Sequence, residues 1–391
     1  SSLELVNPNL DPNDASSWRD SVERGGSPSR TGVGFAGSVI VNEILTNTPD
    51  AVDDAVEIHN PTADPIDIGG MWLSDKIDNV DRYELSAGTI VPAGGYLVLD
   101  ENDFGFGLNG DEGEDFVLVQ PGTLANPDLF IDHVSFGPAL PGESFGRWPN
   151  GSGALFPMIS TTLGAANSGP RIGPVVISEI MFNSPETKVL LDSQVLEFVE
   201  IYNPTPRAVD LTGWILDGIG YTFPSGTTIG AGQTLTLVPF DPTATSDPVV
   251  AIFEDKYDVD ISANASRFLG PYPGRLDNGG QTLTLHRPLA PPAGTPTSGA
   301  LVIEDQVSYD DTDPWPATAA DGSGDSLQRR RVDLWGNDPV SWTGGTPTAN
   351  RLGANIEEGN LNHDGNVDDL DIDVLYANLG SSDPTFDLTD D

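Results

Sequence analysis

The chain repeats one long series of motifs, and this internal duplication constrains the fold more than any other feature of the sequence. Each copy opens with an apolar run ending in Glu-Ile, continues with Glu-Ile-x-Asn-Pro-Thr, and then reaches an Asp-x-x-Gly turn. The series occupies residues 39–44, 56–62 and 67–71 in the first copy, and 175–180, 199–205 and 210–214 in the second. Solenoid repeats are only about 20–50 residues long, so a unit of this size is a domain. The sequence therefore predicts tandem domains of one fold.

The first residues of the chain match the end of the second copy. Ser2-Leu3 and Ser17-Trp18 recur as Ser326-Leu327 and Ser341-Trp342 at one constant offset, and Asn13-Asp14 recurs in the same way. Residues 1–36 are therefore predicted to be the tail of an upstream repeat or an N-terminal extension. The remaining predicted segments are a first domain at 37–168, a second domain at 169–353 and a C-terminal segment at 354–391.

Turn residues and short alternating runs predict the fold class. The chain has 44 glycines and 33 prolines, and strand-like runs such as 116–119, 234–238 and 282–286 lie between them. A period of two bounded by turn signals is typical of strands, and we expect strands to end at Asn60-Pro61 and Asn203-Pro204, because proline lacks a ladder donor. The sequence shows no helical periodicity before residue 355. The prediction is an all-β fold built of sandwiches.

Charge and composition exclude several classes of function. The formal net charge is -43, from 60 acidic and 17 basic residues, so nucleic acid and anionic membranes would be repelled. No apolar run is long enough to span a bilayer, and the absence of cysteine excludes disulfides. Two interpretations of the acidity remain, a solvated acidic surface or divalent-cation binding, and the acidic segments 109–115 and 258–264 are the weaker cation candidates.

The repeated motifs resemble a known family. The ordered pattern of Asn/Ser-Glu-Ile, Glu-Ile-x-Asn-Pro, Asp-x-x-Gly, a Gly-Thr turn, Asp-x-Val-x-Phe/Tyr and a closing Ser-Leu-x-Arg is similar to the lamin-tail domain in its bacterial extracellular form. The resemblance implies immunoglobulin-like β-sandwiches that attach or space the parts of large exported proteins, often beside hydrolase domains, and it supplies no catalytic residues. The first copy has Met71 where the second has Trp214, and it lacks most of an insertion between Leu237 and Leu276.

The C-terminal segment carries calcium-loop spacing. Residues 360–371 place oxygen side chains at loop positions one, three, five, nine and twelve and glycine at six, while position seven supplies a backbone carbonyl. Hard cations take six to eight oxygen ligands, so the loop predicts Ca²⁺ followed by an EF-hand-like exiting helix. The predicted metal ligands are Asn360, Asn362, Asp364, Asn366, Asp368 and Asp371.

This segment resembles a type I dockerin repeat. A dockerin pairs two loops, and here the second begins at Asp387 and reaches only its fifth position. Asn360 stands where the first loop usually has aspartate, and Asp369 and Leu370 occupy the positions that often carry a Ser-Thr recognition pair. The resemblance implies a cohesin-like partner, which Asp369 and Leu370 do not favour; the other predicted partners are a cell-envelope protein or an extracellular glycan, and the alternative is a purely structural role.

Candidate catalytic groups have structural alternatives in the repeat. Gly142-Glu-Ser144-Phe-Gly146 matches the serine hydrolase elbow, but the second copy has Gln328 at the last position, so a strand start is favoured. Four glutamates form a repeated pair that is favoured to bond turn amides rather than to act as acid and base; these are Glu43, Glu57, Glu179 and Glu200.

The remaining polar and aromatic candidates also favour structural roles. His59, His133 and His286 lie far apart without metal spacing and are predicted to be strand-surface residues. The basic run 329–331 is expected to anchor carboxylates or protect a strand edge. Aromatic residues in or near loops of the second copy could form a sugar platform or close the ends of the sandwich; they are Tyr257, Tyr272 and Trp315.

Together these patterns predict a non-catalytic, secreted or cell-surface attachment and spacer region that binds calcium at its C-terminal loop. The alternative is an accessory region of a secreted polysaccharide-degrading hydrolase whose catalytic domain lies elsewhere. In both hypotheses the chain itself is not an enzyme.

Overall fold

The computed structural model describes residues 3–5, 18–27, 39–48, 52–123, 128–185, 193–289, 299–320, 322 and 324–351. Strands dominate these ranges, in agreement with the predicted all-β class. None of the helices in the described ranges combines the length and apolar content that a membrane span requires. The predicted calcium loop and the rest of the segment 354–391 lie outside the described residues.

The chain divides into two compact units. The described residues of unit 1 fall within Ser1–Arg171 and Leu289–Val302, and those of unit 2 within Ile172–Pro288 and Ile303–Asp391. The elements before Val175 are β1 (Leu3–Leu5), β2 (Trp18–Asp20), β3 (Ile40–Leu45), β4 (Ala55–His59), β5 (Ile66–Asp67), β6 (Trp72–Ser74), β7 (Tyr83–Glu84), β8 (Ile90–Val91), β9 (Tyr96–Asp100), α1 (Glu101–Phe104), β10 (Glu114–Gln120), β11 (Leu129–Phe136), β12 (Ser144–Trp148) and β13 (Ala154–Pro157).

The elements from Val176 onward lie almost entirely in unit 2. They are β14 (Val176–Met181), β15 (Phe198–Tyr202), β16 (Val209–Asp210), β17 (Ile215–Asp217), β18 (Tyr221–Thr222), β19 (Thr228–Ile229), β20 (Thr234–Leu237), α2 (Pro248–Tyr257), β21 (Phe268–Leu269), β22 (Gly280–Pro288), β23 (Leu301–Asp310), α3 (Ala317–Ala320), β24 (Ser326–Arg329) and β25 (Trp342–Gly345). Single 3₁₀ turns cover Ser193–Leu196, Ala265–Arg267 and Pro339–Ser341.

Unit 1 is a sandwich of two antiparallel sheets. One sheet has the strand order β13-β12-β3-β4-β9 and the other β11-β10-β6-β7, while β5 and β8 form a short ribbon. Alternation along the strands builds the core, because Phe116 and Leu118 of β10 pack in it whereas Val117 and Val119 face away. Val41 of β3 and Ile58 of β4 reach the same core from the opposite sheet.

Unit 2 has the same topology. Its sheets run β25-β24-β14-β15-β20 and β23-β22-β17-β18, with β16 and β19 as the short ribbon. The predicted fold of tandem immunoglobulin-like sandwiches is thus confirmed, and both Asn-Pro pairs follow the strand they were expected to end. Unit 2 differs by one added strand, β21, which pairs in parallel with β20 at Thr236–Phe268 and Leu237–Leu269.

The expectation of no helix before residue 355 was wrong: α1 and α3 are single four-residue turns, and the 10-residue helix α2 lies in the insertion between Leu237 and Leu276. Helix α2 begins after Asp247, whose side chain accepts a hydrogen bond from the Val249 amide, and Pro248 occupies the first helical turn. Val250, Phe253 and Tyr257 fall on one face and are buried. They pack with Phe198 of β15 in an apolar cluster that is separate from the main core of unit 2.

Candidate functional site

The duplicated glutamates lie opposite each other on neighbouring strands in both units. In unit 1 the register places Glu43 of β3 beside Glu57 of β4, and in unit 2 Glu179 of β14 lies beside Glu200 of β15. Both registers shift immediately before the first glutamate, as at a β-bulge, which re-aims the side chain. All four residues are at most 1% exposed. Like charges placed opposite each other and buried are costly, so each pair requires donors.

The donors in unit 1 come largely from the loop that follows β13. Glu43 accepts hydrogen bonds from the Ser144 hydroxyl at 2.6 Å and from both the amide and the hydroxyl of Thr162, each at 3.0 Å. Glu57 accepts from the Gly164 amide at 2.5 Å and from Asn42 Nδ2 at 2.8 Å. The two carboxylates therefore hold the closing loop against the sheet, which confirms the prediction that they bond turn amides.

Unit 2 repeats the arrangement with equivalent residues. Glu179 accepts from the Ser326 hydroxyl at 2.5 Å, from the Thr348 amide at 2.8 Å and from the Thr348 hydroxyl at 2.6 Å. Glu200 accepts from the Ser178 hydroxyl at 3.0 Å. We call the four glutamates and their donors the closure networks, because each fastens the last loop of its own sandwich.

Burial raises the pKa of three of these carboxyl groups, those of Glu57, Glu179 and Glu200. Burial raises the pKa of Glu57 to about 6, against the opposing hydrogen bond from Asn42. Burial also raises the pKa of Glu179, and burial together with the charge of Glu179 raises the pKa of Glu200 well above its ordinary value. The coupled pair Glu179 and Glu200 is therefore expected to retain a proton where exposed glutamates are ionised.

An arginine, half-buried in unit 1 and fully buried in unit 2, forms a second duplicated contact, which joins the two sheets of each sandwich. Arg147 of β12 binds Asp132 of β11 through Nη2 at 3.0 and 2.8 Å, and the Asp132 carboxylate accepts from the Val41 amide at 2.7 Å. In unit 2 the Nη1 atom of Arg329 lies 2.5 Å from an Asp305 oxygen, and the same oxygen accepts from the Ile177 amide at 2.8 Å.

We call the pairs Asp132–Arg147 and Asp305–Arg329 the sheet clamps. They also satisfy the hydrogen-bonding groups of the backbone beside the bulge. The arginine also donates to the carbonyl of the bulged strand, at 2.7 Å from Arg147 to Val41 and at 3.2 Å from Arg329 to Ile177. The clamp between Asp132 and Arg147 was not predicted, although Asp-x-Val and the closing arginine recur in both copies. Arg329 was expected to anchor a carboxylate, and Asp305 is that partner.

The structure places Ser144 as a strand residue inside the first closure network. It begins β12, is 1% exposed, and donates its hydroxyl to Glu43. Ser326 does the same for Glu179 without the flanking glycine pattern. A nucleophile elbow exposes its serine at a strand-to-helix turn, so the strand-start interpretation is confirmed.

The histidines occupy three different environments. His59 is buried at the end of β4 and stacks on Tyr96 with ring centroids 4.4 Å apart, so the surface prediction was wrong for this residue. His133 is exposed on β11 and lies 3.0 Å from an Asp115 oxygen. Hydrogen bonds from Ser135 and His133 lower the pKa of Asp115. His286 is half-buried, and burial lowers its pKa.

The acidic segments are organised as turns. Glu114 accepts from the Asn109 amide at 2.6 Å, and Asp260 accepts from the Ala263 amide at 2.8 Å. Across the described ranges no group of three or more histidine, aspartate and glutamate side chains is arranged to hold a metal ion. The six predicted calcium ligands 360, 362, 364, 366, 368 and 371 lie outside those ranges.

Aromatic residues of unit 2 pack inward rather than forming a sugar platform. Tyr257, Tyr272 and Trp315 are all less than 9% exposed and belong to the apolar clusters. Trp315 nonetheless is one of the residues that line a groove of about 740 Å³. The groove is lined by Asp313, Pro314, Trp315, Pro316, Ala317, Arg330, Arg331, Leu334, Pro339, Val340 and Trp342.

Comparison with known proteins supports the duplication. The family model of the Lamin Tail Domain matches residues 35–128 and 169–305, and both ranges contain a glutamate pair and an Asn-Pro strand end. No curated protein sequence matches the chain. Among solved structures, a DUF4876 family protein from Bacteroides thetaiotaomicron matches at 11% identity with a TM-score of 0.28, over 80% of this chain and 93% of that chain.

Proposed function

Because the chain belongs to the lamin tail domain family, whose immunoglobulin-like domains are non-catalytic, we propose that it is an attachment and spacer region of a larger secreted protein. The observation that carries this proposal is where the duplicated polar groups lie and what they bind. Glu43, Glu179 and their serine partners are buried and bonded to the loop that closes their own sandwich. Their use is to complete a rigid domain, and each copy does so with its own residues.

Calcium binding at residues 360–371 is the second part of the proposal. Its support is the spacing of oxygen side chains around Gly365, which fits a hard cation that takes six to eight oxygens. An extracellular setting is consistent with this loop, because extracellular calcium modules work at about 10⁻⁴–10⁻³ M. In this proposal the sandwiches project a calcium-ordered segment toward a cohesin-like protein, a cell-envelope protein or a glycan.

The groove of unit 2 favours the alternative, an accessory region that holds a polysaccharide beside a hydrolase domain. Val340 and Arg330 both line it; Val340 is 70% exposed, and Arg330 supplies a guanidinium group. An apolar surface with a few directional donors is the usual character of a ligand site. Binding at this groove would be confined to the second copy.

A sedimentation assay separates the two proposals. The purified chain is mixed with insoluble cell envelope of its source, or with insoluble polysaccharide, in calcium and in chelator. The attachment proposal expects calcium-dependent sedimentation with envelope that disappears in Asp364→Ala/Asp371→Ala. The accessory proposal expects calcium-independent sedimentation with polysaccharide that weakens in Arg330→Ala/Val340→Asp. Failure to sediment with either material would contradict both.

A further inference from the structure

The hairpin of β1 and β2 reproduces the closing hairpin of unit 2 in register. In β1 and β2 the pairs are Leu3 with Asp20, Glu4 with Arg19 and Leu5 with Trp18. In β24 and β25 the equivalent positions pair identically, as Leu327 with Gly344, Gln328 with Thr343 and Arg329 with Trp342. A one-residue slip would send every side chain to the other face. The sequence match at the start of the chain is therefore also a match of strand pairing.

The two hairpins differ in how far their apolar side chains are exposed. Leu327 and Trp342 are each 1% exposed, because β24 lies inside the six-stranded sheet of unit 2. Their equivalents Leu3 and Trp18 are 66% and 36% exposed. In the described part of the chain, β1 and β2 form a separate two-stranded sheet. Two-stranded hairpins are marginally stable alone, and their apolar side chains normally pack against further strands.

Unit 2 shows which strand belongs at this edge. There β24 pairs antiparallel with β14, with Gln328 opposite Glu179 and Leu327 opposite Ile180. The equivalent contacts for the N-terminal hairpin would place Glu4 and Leu3 opposite the Glu-Ile of an incoming strand. The edge carries main-chain groups for the ladder, and Leu3 supplies the apolar contact, which is the mode of β-strand addition.

We propose that the β1–β2 hairpin is an acceptor for a strand of the β14 type from another lamin tail sandwich, which it closes. The incoming strand has the pattern of apolar residues followed by Asn/Ser-Glu-Ile and runs antiparallel to β1. This surface is separate from the attachment role, because it concerns how sandwiches in the array are completed.

Cysteine trapping tests the register directly, since the chain has no cysteine of its own. The full chain carrying Glu4→Cys is equilibrated in a glutathione buffer with a peptide of residues 175–182 in which Glu179 is replaced by cysteine. Directly opposed residues of antiparallel strands lie within disulfide reach. The matched control peptide keeps Glu179 and carries Ile180→Cys, whose thiol would project from the opposite face.

The expected result is at least about tenfold more mixed disulfide with the in-register peptide. Adding Trp18→Asp, which removes the apolar surface without changing the thiol, should abolish that preference. Equal yields from the two peptides, no mixed disulfide, or a preference unchanged by Trp18→Asp would each overturn the proposal. Preferential formation of a disulfide-linked dimer of the chain would overturn it as well, by assigning the hairpin to self-association.

Discussion

Removing the arginine of the unit 2 sheet clamp is expected to destabilise that unit strongly. Arg329 and the Asp305 side chain are 0% and 1% exposed, so Arg329→Met leaves a carboxylate buried with the Ile177 amide as its remaining donor in the clamp. Breaking a buried ion pair by removing one partner costs about 3–5 kcal/mol. For a domain of this size, 1 kcal/mol shifts the unfolding temperature by about 2–4 °C, so the loss amounts to about 6–20 °C.

The matched control is Arg331→Met in the same basic run. Arg331 pairs with Asp333, whose side chain is 58% exposed, and exposed pairs contribute only about 0–1 kcal/mol. The double variant Arg329→Met/Asp305→Leu should recover part of the loss, because no carboxylate remains buried. Recovery should be incomplete, since the Ile177 amide loses its acceptor, which costs about 1–3 kcal/mol.

Hydrogen exchange in increasing urea, followed by mass spectrometry of peptides, measures the change in stability of each unit in one sample. Peptides from β14 and β24 report unit 2, while peptides from β3 and β12 report unit 1 and should be unchanged. A multidomain chain does not unfold in one two-state step, so the units must be followed separately. If Arg329→Met shifts the unit 2 transition no more than Arg331→Met does, the clamp does not stabilise the sandwich and the reasoning fails.

Three further predictions follow from the closure networks and the C-terminal loop. Burial raises the pKa of folded Glu57 from 4.5 to about 6. Its contribution of about 2 kcal/mol to the stability of unit 1 is therefore present below pH 4.5 and lost as the pH rises through 6. The check is the urea midpoint of unit 1 between pH 4 and 8, whose dependence on pH should be flatter in Glu57→Gln. Ser144→Ala should cost unit 1 about 1.5–3 kcal/mol, since a buried carboxylate loses a hydroxyl donor, and unchanged exchange in β3 would count against it. Asp364→Ala/Asp371→Ala should abolish calcium uptake in a calorimetric titration while both sandwiches keep their exchange protection.

The sheets and the glutamate pairs were predictable because their signals are local and repeated. Strand alternation placed β10 and β20, and the recurrence of Glu43 and Glu179 in the same strand motif indicated a role in the fold rather than in catalysis. A polar residue that serves one copy alone could not be recognised in this way. A repeated polar position is informative because both copies must bury the same side chain and supply it with hydrogen bonds.

The features that escaped prediction depend on contacts distant in sequence. Asp132 and Arg147 each looked like an ordinary strand charge, and only the packing of two sheets brings them within 3 Å. Helix α2 has its cap at Asp247 and a buried face, but it is only 10 residues long and lies among turn residues. Helices so short are set by packing as much as by propensity, here against Phe198.

The closure networks also restrict where the gene can recombine. Each network joins the beginning of a sandwich to its end, as in the bonds from Thr162 to Glu43 and from Thr348 to Glu179. A recombination event that adds or removes a whole copy preserves every such bond. A break inside a copy instead leaves a buried carboxylate without its donors. Duplication of entire copies therefore keeps every buried carboxylate together with its donors.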